Sequence, residues 1–384
     1  MTHIFLLGSY APSLINFRGP LIRDLLAAGH RVSVGAPDIP GDVRSALEAM
    51  GAMVYETPLE RRGTGMRADL AYYRVLKRIL LRIRPDALLT YTIKPNIWGA
   101  FAAGSAGIPS YAMITGLGYA FTEAGARLST RQRLTGMAAR WLYRAATRRS
   151  ERVIFQNPDD RDDFIRGGCL VDPAKAAMID GSGVDMEHYS RAPLPDAPVV
   201  LMIARLLAAK GVRDYAAAAF AVRASHPSAR FLLVGPFDEG PDSIGREEVE
   251  EWVADGLEYL GPTDDVRPVI AQARLYVLPS YREGTPRSVL EAMAMGRPVV
   301  TSDAPGCRET VKHGVNGLLV PVRDSRRLAA AIVHLLDNPM EVEAMGQAGY
   351  ELVALKYDVK QVNRAIMDIM KLSASREDHD DAQK

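Results

Sequence analysis

The stretch HIFLLGSYAPSLINFRGPLIRDLLAAGHRVSVGA, residues 3–36, decides the fold class. It opens on a short apolar run at 3–8, passes through a helical stretch at 18–29 and returns to an apolar run at 31–36. The helical stretch ends at Gly29-His30, and glycine is the expected stop signal just past a helix. Strand, helix, strand in this order is a βαβ unit, and a chain of such units makes a parallel sheet.

The pattern recurs outward from there. Strand-like runs lie at 52–56, 86–91, 110–115 and 152–156, with a helical stretch at 66–84 that ends before Pro85, and this series closes near residue 190. RAPLPDAP at 191–198 holds three prolines in eight residues, so it reads as a linker. A second series then runs through 199–204, 230–235, 257–261, 274–279 and 297–302, followed by helical stretches at 325–337, 340–355 and 358–372. The expected organisation is α/β, with Rossmann-like doubly wound domains at 1–190 and 191–357 and a disordered tail at 373–384. Two such domains facing each other leave a central cleft at the carboxyl ends of their strands, where ligands bind in this class.

Composition narrows the function classes. With 48% hydrophobic and 24% charged residues over 384 positions, wholesale disorder is excluded. No apolar run approaches the ~18–20 residues that span a bilayer, and the amino terminus lacks a signal-peptide pattern. Cys169 and Cys307 cannot build a disulfide framework or a zinc cage, which points to a reducing cytoplasm. The seven histidines lack metal-ligand spacing. The net charge of +1 hides an asymmetry: residues 1–152 carry +11 and residues 153–384 carry −10. A basic half faces phosphates, anionic lipid or nucleic acid, unless the two halves merely attract each other.

Two motifs carry chemistry. Arg205 follows the strand at 199–204, and Lys210-Gly211 opens the next helix. Two cations at a strand tip beside a helix amino terminus suit a diphosphate, the alternative being two solvated surface charges. The second motif is Glu283-Gly284-Thr285-Pro286-Arg287-Ser288-Val289-Leu290-Glu291. Its two acids stand about two helical turns apart, too far to share a metal but suited to two ends of one extended ligand. N–H groups near Ser288 and Val289 could hold phosphate between them, although Glu283 could also be only a helix N-terminal charge.

The segments ARLLAAKG at 204–211, EGTPRSVLE at 283–291, AMAMGRPVVTSDAPGCRE at 292–309 and HGVNGLLV at 313–320 occur in one order and spacing. Together they resemble the retaining glycosyltransferases of family 4, which have the two-domain GT-B fold, and the resemblance runs from residue 1 to about 370. It implies that Arg205 and Lys210 neutralise the donor diphosphate, that Glu283 hydrogen-bonds hydroxyls of the transferred sugar, and that Glu291 holds the donor ribose. Leu260 and Gly261 are implied at the border of the nucleobase, and the helix at 358–372 is implied to cross back to the first domain. A nucleotide-sugar donor, with a UDP-N-acetylhexosamine favoured, and a metal-free retaining mechanism without a protein nucleophile also follow from the resemblance.

GSYAPSLINFRGPLI at 8–22, YTIKPNIWG at 91–99 and MITGLGYAFTE at 113–123 resemble enzymes that extend sugars on undecaprenyl diphosphate. Where many family members place a histidine, this chain has Thr115, Gly116, Leu117 and Gly118, so Thr115 or backbone is left for the sugar contact. Asn16, Arg18 and Gly19 at the first strand-to-helix turn, with Lys94 and Asn96 after the strand at 86–91, complete the candidate acceptor residues. Lys94 could instead be a surface lysine beside a turn.

Residues 127–152 hold eight arginines and one acid, interleaved with Leu134, Met137, Trp141, Leu142 and Tyr143. Such a stretch could lie on an anionic bilayer with its rings at the headgroup boundary, or pack on the sheet with a solvated arginine face. The expectation is a peripheral enzyme at the inner face of the cytoplasmic membrane, acting on a polyprenyl-diphosphate-linked saccharide and not on nucleic acid. The rival readings are a GT-B sugar-nucleotide epimerase, which needs no acceptor, and a non-catalytic glycan- or lipid-binding module.

Overall fold

The computed structural model describes residues 1–60, 65–117, 130–240 and 242–372, the side chains of 130–134 excepted. The chain forms two compact units: Met1–Ser182 with the segment from Lys360 onward, and Gly183–Val359.

The first unit is built on seven parallel strands, β1 (His3–Leu7), β2 (Arg31–Ala36), β3 (Met53–Glu56), β4 (Ala87–Tyr91), β5 (Ser110–Ile114), β6 (Arg152–Phe155) and β7 (Ala176–Met178). Their order across the sheet is β3-β2-β1-β4-β5-β6-β7. β1 is buried along its whole length, as expected of a strand covered on both faces. Side chains alternate across a strand, so Ile4 and Leu6 enter one core with Leu14, Leu21 and Leu25, while Phe5 and Leu7 enter another with Tyr72, Leu76 and Leu80. The helix Val359–Ile369 returns to the first of these cores through Val362 and Ile366, with Met370 just past its end, and Asn363 donates to the Asp24 carboxylate at 2.7 Å.

The second unit repeats the plan with β8 (Val199–Ile203), β9 (Arg230–Val234), β10 (Glu258–Tyr259), β11 (Leu275–Leu278), β12 (Val299–Ser302) and β13 (Gly317–Val320), in the order β10-β9-β8-β11-β12-β13. In both sheets the order reverses beside the first strand, between β1 and β4 and between β8 and β11. These reversal points are where ligands bind in open α/β sheets.

Three expectations need correction. The segment 191–198 is not a loose linker. The buried Arg297 guanidinium donates to the carbonyls of Ala192 and Pro193 at 3.1 and 2.9 Å, and to those of Ile270 and Ala271. Arg274 adds a bond to the Pro195 carbonyl at 2.7 Å. Burial without a carboxylate partner lowers the Arg297 pKa to about 10. The boundary also lies eight residues earlier than the prolines indicate, because Val184 donates to the Tyr357 carbonyl at 2.9 Å and pairs with Asp358. The helix expected at 340–355 runs over Pro339–Leu352 and passes into a wider turn at Val353–Tyr357.

Candidate active site

Lys210 ends a short turn, Ala208–Lys210, just past the tip of β8. The turn is bolted from two sides. From the loop after β9, the Asp242 carbonyl accepts the Ala208 N–H at 2.8 Å and its carboxylate accepts the Ala209 N–H at 2.9 Å. From the loop after β11, the Tyr281 N–H donates to the Ala209 carbonyl at 2.9 Å. Gly211 follows at φ +72°, and a Cβ there would collide with the Pro279 carbonyl, so this position accepts only glycine.

Glu283 reaches the same place from β11. Its Oε1 accepts the Lys210 Nζ at 2.5 Å and the Ser280 hydroxyl at 2.8 Å. Its backbone is pinned by the Glu283 N–H to the Pro305 carbonyl at 2.9 Å and by Gly306, at φ +81°, whose missing side chain leaves room for the Glu283 carbonyl. Lys210 and Glu283 are sheltered, with side chains 21% and 12% exposed. Arg205 is a different case: its guanidinium pairs with Asp238 at 2.7 Å, but its side chain is 58% exposed. Its partner Asp238 is sheltered at 11%, so only the arginine side of the pair is open to solvent. Lys210 and Glu283 thus meet at the reversal point of the second sheet, while Arg205, just past the tip of β8, is turned to Asp238.

The helix Arg287–Ala294 carries the rest of the motif. Pro286 caps it, and the loop residues Gly284 and Thr285 precede it. The Val289 N–H donates to the Pro286 carbonyl at 3.1 Å, which corrects the expectation that it is available to a phosphate. The Ser288 N–H, one residue earlier, lies in the first turn, where N–H groups have no acceptor within the helix. Ser288's hydroxyl also bonds the buried Tyr276. Glu291 is buried, 2.8 Å from Arg287 Nε one turn earlier, and is hydrogen-bonded by Tyr189. Desolvation raises its pKa, with the Arg287 charge and the Tyr189 bond opposing the rise. Past the tip of β10, at the sheet edge beyond β9, Leu260 is half exposed and Gly261 stands at φ +73°.

Glu291 yields a testable expectation. A carboxyl with a raised pKa favours the fold fully below its ordinary range, and that contribution is lost as pH rises through the raised value. Glu291→Gln should therefore flatten the fall of Tm with rising pH above the ordinary carboxyl range, while weakening UDP binding if the carboxylate holds ribose. Calorimetric titration with UDP checks the second half, and unchanged affinity would remove the ribose role.

The first unit's candidate residues stand at its own reversal point, and they differ in accessibility. Arg18 is 2% exposed, stacked on the Tyr91 ring at 5.0 Å with Nη2 2.9 Å from the Met113 sulfur. Gly19 is buried at the start of the helix Gly19–Ala27, and Asn16 is exposed. Lys94 donates to the Asp69 carboxylate at 2.7 Å and to the Glu60 carbonyl at 2.8 Å, so it is not a loose surface lysine. Asn96 is corrected outright. It is 1% exposed, accepts the Thr90 hydroxyl at 2.7 Å and donates to the Met113 carbonyl at 2.9 Å, which makes it a strut beneath the tip. Thr115 is half buried just past β5, whereas Gly118 and the rest of 118–123 lie outside the described residues.

Sequence reasoning missed Asp238, Asp242, Ser280 and Tyr189. Only Arg287 had left a signal, the i,i+4 spacing to Glu291. Among the described residues no group of three or more His, Cys, Asp or Glu side chains is placed to hold a metal ion.

Residues 18–180 match the family described as glycosyl transferase 4-like domain, and residues 197–338 match glycosyl transferases group 1. The chain belongs to the GT4-like glycosyltransferases and has the GT-B fold. This glycosyltransferase is 28% identical over 362 residues to the N,N'-diacetylbacillosaminyl-diphospho-undecaprenol alpha-1,3-N-acetylgalactosaminyltransferase of Campylobacter jejuni, covering 90% of this chain and 92% of that one. It is 26% identical to the UDP-Gal:alpha-D-GlcNAc-diphosphoundecaprenol alpha-1,3-galactosyltransferase of Escherichia coli, covering 71% of each. In fold it is similar to Anabaena HepE in complex with UDP and glucose, with a TM-score of 0.78 at 21% identity, covering 97% of this chain and 100% of that one.

Proposed function

We propose that this glycosyltransferase moves a sugar, with retention at the anomeric carbon, from a UDP-sugar to a saccharide carried on polyprenyl diphosphate, in the synthesis of a cell-surface or protein-linked glycan. An N-acetylhexosamine is the favoured sugar. The observation that carries the donor half is the contact of Lys210 with Glu283 at the sheet's reversal point, with the exposed Arg205 following the same strand, β8. Two cations offset the charge that grows on a departing diphosphate, and an acid beside them can hold the hydroxyls of the sugar it leaves behind. The acceptor half is supported by two relatives whose names specify undecaprenyl-diphosphate-linked saccharides, one of them matching nearly end to end.

The leaving diphosphate itself takes the acceptor's proton as the new bond forms on the same face, so no protein nucleophile enters the scheme. Positive charge comes from Lys210 and Arg205, and EDTA should leave turnover unchanged; a loss restored by added divalent metal would contradict this. Mass spectrometry of lipid-linked oligosaccharides, from cells with and without the protein, tests the reading. Truncation by one sugar in the deleted strain is expected, and an unaltered lipid-linked pool would overturn it.

Peripheral contact with an anionic bilayer belongs to the same proposal. On the helix Thr130–Thr147, Met137 and Trp141 are 58% and 69% exposed, and Arg144, also exposed, continues their face; Arg148, one turn further, is exposed just past the helix. Tyr143, expected at the headgroup boundary, is buried against Phe164, so among the described side chains of this helix the exposed large apolar ones are Met137 and Trp141, Leu134 lying outside them. The helix Met66–Ile83 adds exposed Arg67, Arg74, Arg78 and Arg82. No helix among the described residues is long and apolar enough to cross a membrane.

A further inference from the structure

Ser280 sits at the tip of β11 with no solvent exposure, and its single hydroxyl proton has three acceptors in reach. The Glu283 Oε1 lies at 2.8 Å, the Ala209 carbonyl at 3.2 Å and the Arg282 carbonyl at 3.5 Å. A hydroxyl–carboxylate bond is shorter and about twice as strong as a neutral one, so the proton goes to Glu283. The two carbonyls then face the Ser280 oxygen from the two chain segments that carry the site. One is the Ala208–Lys210 turn, and the other is the loop leading into Glu283.

The Lys210 ammonium and the Ser280 hydroxyl converge on the same carboxylate oxygen. Lys210 is also a cation that the proposed donor diphosphate would draw toward itself. As that attraction grows, Glu283 Oε1 gives up part of its contact with Lys210. The Ser280 hydroxyl is fixed by burial and cannot follow. It stays as a donor that keeps the carboxylate aimed while the lysine turns to phosphate.

We propose that Ser280 is a positioning residue for the transfer, holding the Glu283 carboxylate in its sugar-contacting orientation independently of Lys210. It does not touch substrate, and its effect passes through Glu283. This rests on the reading that Glu283 contacts the transferred sugar. Nothing in the sequence marks Ser280 out; its role follows from the shared oxygen.

The test is a double-mutant cycle on the full-length protein with Ser280→Ala and Glu283→Gln, followed by donor kinetics and UDP titration. Ser280→Ala removes one oxygen, and its circular dichroism and Tm establish that the fold survives. A hydrogen bond to a charged group contributes enough that kcat should fall ~10–100-fold. UDP, which has no transferred sugar, should bind Ser280→Ala with unchanged Kd. The double variant should be no slower than Glu283→Gln alone, since the lost orientation no longer matters. Ser280→Thr, which keeps the hydroxyl, should recover most of the rate. Additive losses in the double variant, weakened UDP binding, or a wild-type kcat in Ser280→Ala would each overturn the proposal. Glu283→Gln arbitrates the parent reading separately: full activity in that variant removes Glu283 from the chemistry, whatever Ser280 does.

Discussion

Lys210→Ala should lower kcat by ~30–1000-fold with the fold intact, the equivalent of removing about 2–4 kcal/mol of transition-state stabilisation. The structure makes this the larger of the two cation effects. Lys210 is sheltered and held by a turn that two neighbouring loops hydrogen-bond from either side. Arg205 is exposed and already bonded to Asp238, so Arg205→Ala should cost less. Steady-state kinetics with a saturating acceptor would rank them. Comparable and small losses in both variants would take the diphosphate away from this strand tip. The substitution also strips Glu283 of a charged partner in a site only 12% exposed, so Tm should fall modestly alongside kcat. Added alkylamine should restore turnover in part if the missing group is an ammonium.

Vesicle binding should collapse when Arg144→Glu and Arg148→Glu are combined. Each cation near an anionic surface contributes ~1 kcal/mol, so losing two and adding two repulsions lowers the partition coefficient by on the order of 100-fold or more. Both residues are exposed, whereas Arg140 is half buried and is left in place. Trp141→Ala should weaken binding independently of salt, while the arginine contribution should fade as ionic strength rises, because screening acts over ~8 Å at physiological salt. Sedimentation with phosphatidylglycerol vesicles separates the two terms. Negligible wild-type binding, or binding insensitive to salt, would leave this helix as scaffold. Transfer to a short water-soluble acceptor should be far less affected than transfer to the lipid-linked one.

The two parallel sheets were legible because their central strands are uninterrupted apolar runs, as in HIFLL and VVLMI. Strands β7 and β13 were not, since AAM and GLLV are too short to show a period. The unit boundary was misplaced for a physical reason: prolines mark where a helix cannot run, but not whether a segment is packed. In this chain a buried arginine ties that segment down through its carbonyls.

The site divides in the same way. Arg205, Lys210, Glu283 and Glu291 could be named because charged residues at strand tips and helix starts have a recognisable spacing. Their neighbours could not be. Asp242 acts through a hydrogen bond between loops 33 residues apart, a range that leaves no local pattern, and the Ser280–Glu283 bond lies within one irregular loop, which has no period to reveal it. Asn96 shows the converse. A polar residue at a strand tip reads as a ligand contact, yet its amide is used wholly inside the fold.

The most direct measurement is transfer by the purified protein, supplied with a panel of UDP-sugars and an undecaprenyl-diphosphate-linked saccharide, with products followed by mass spectrometry and NMR. The expected result is one added sugar per acceptor, an N-acetylhexosamine with the best donor, whose α or β configuration matches that of the donor. Donor consumption should depend on acceptor. An inverted linkage would contradict retention, and conversion of a UDP-sugar to its epimer without any acceptor product would contradict the account as a whole.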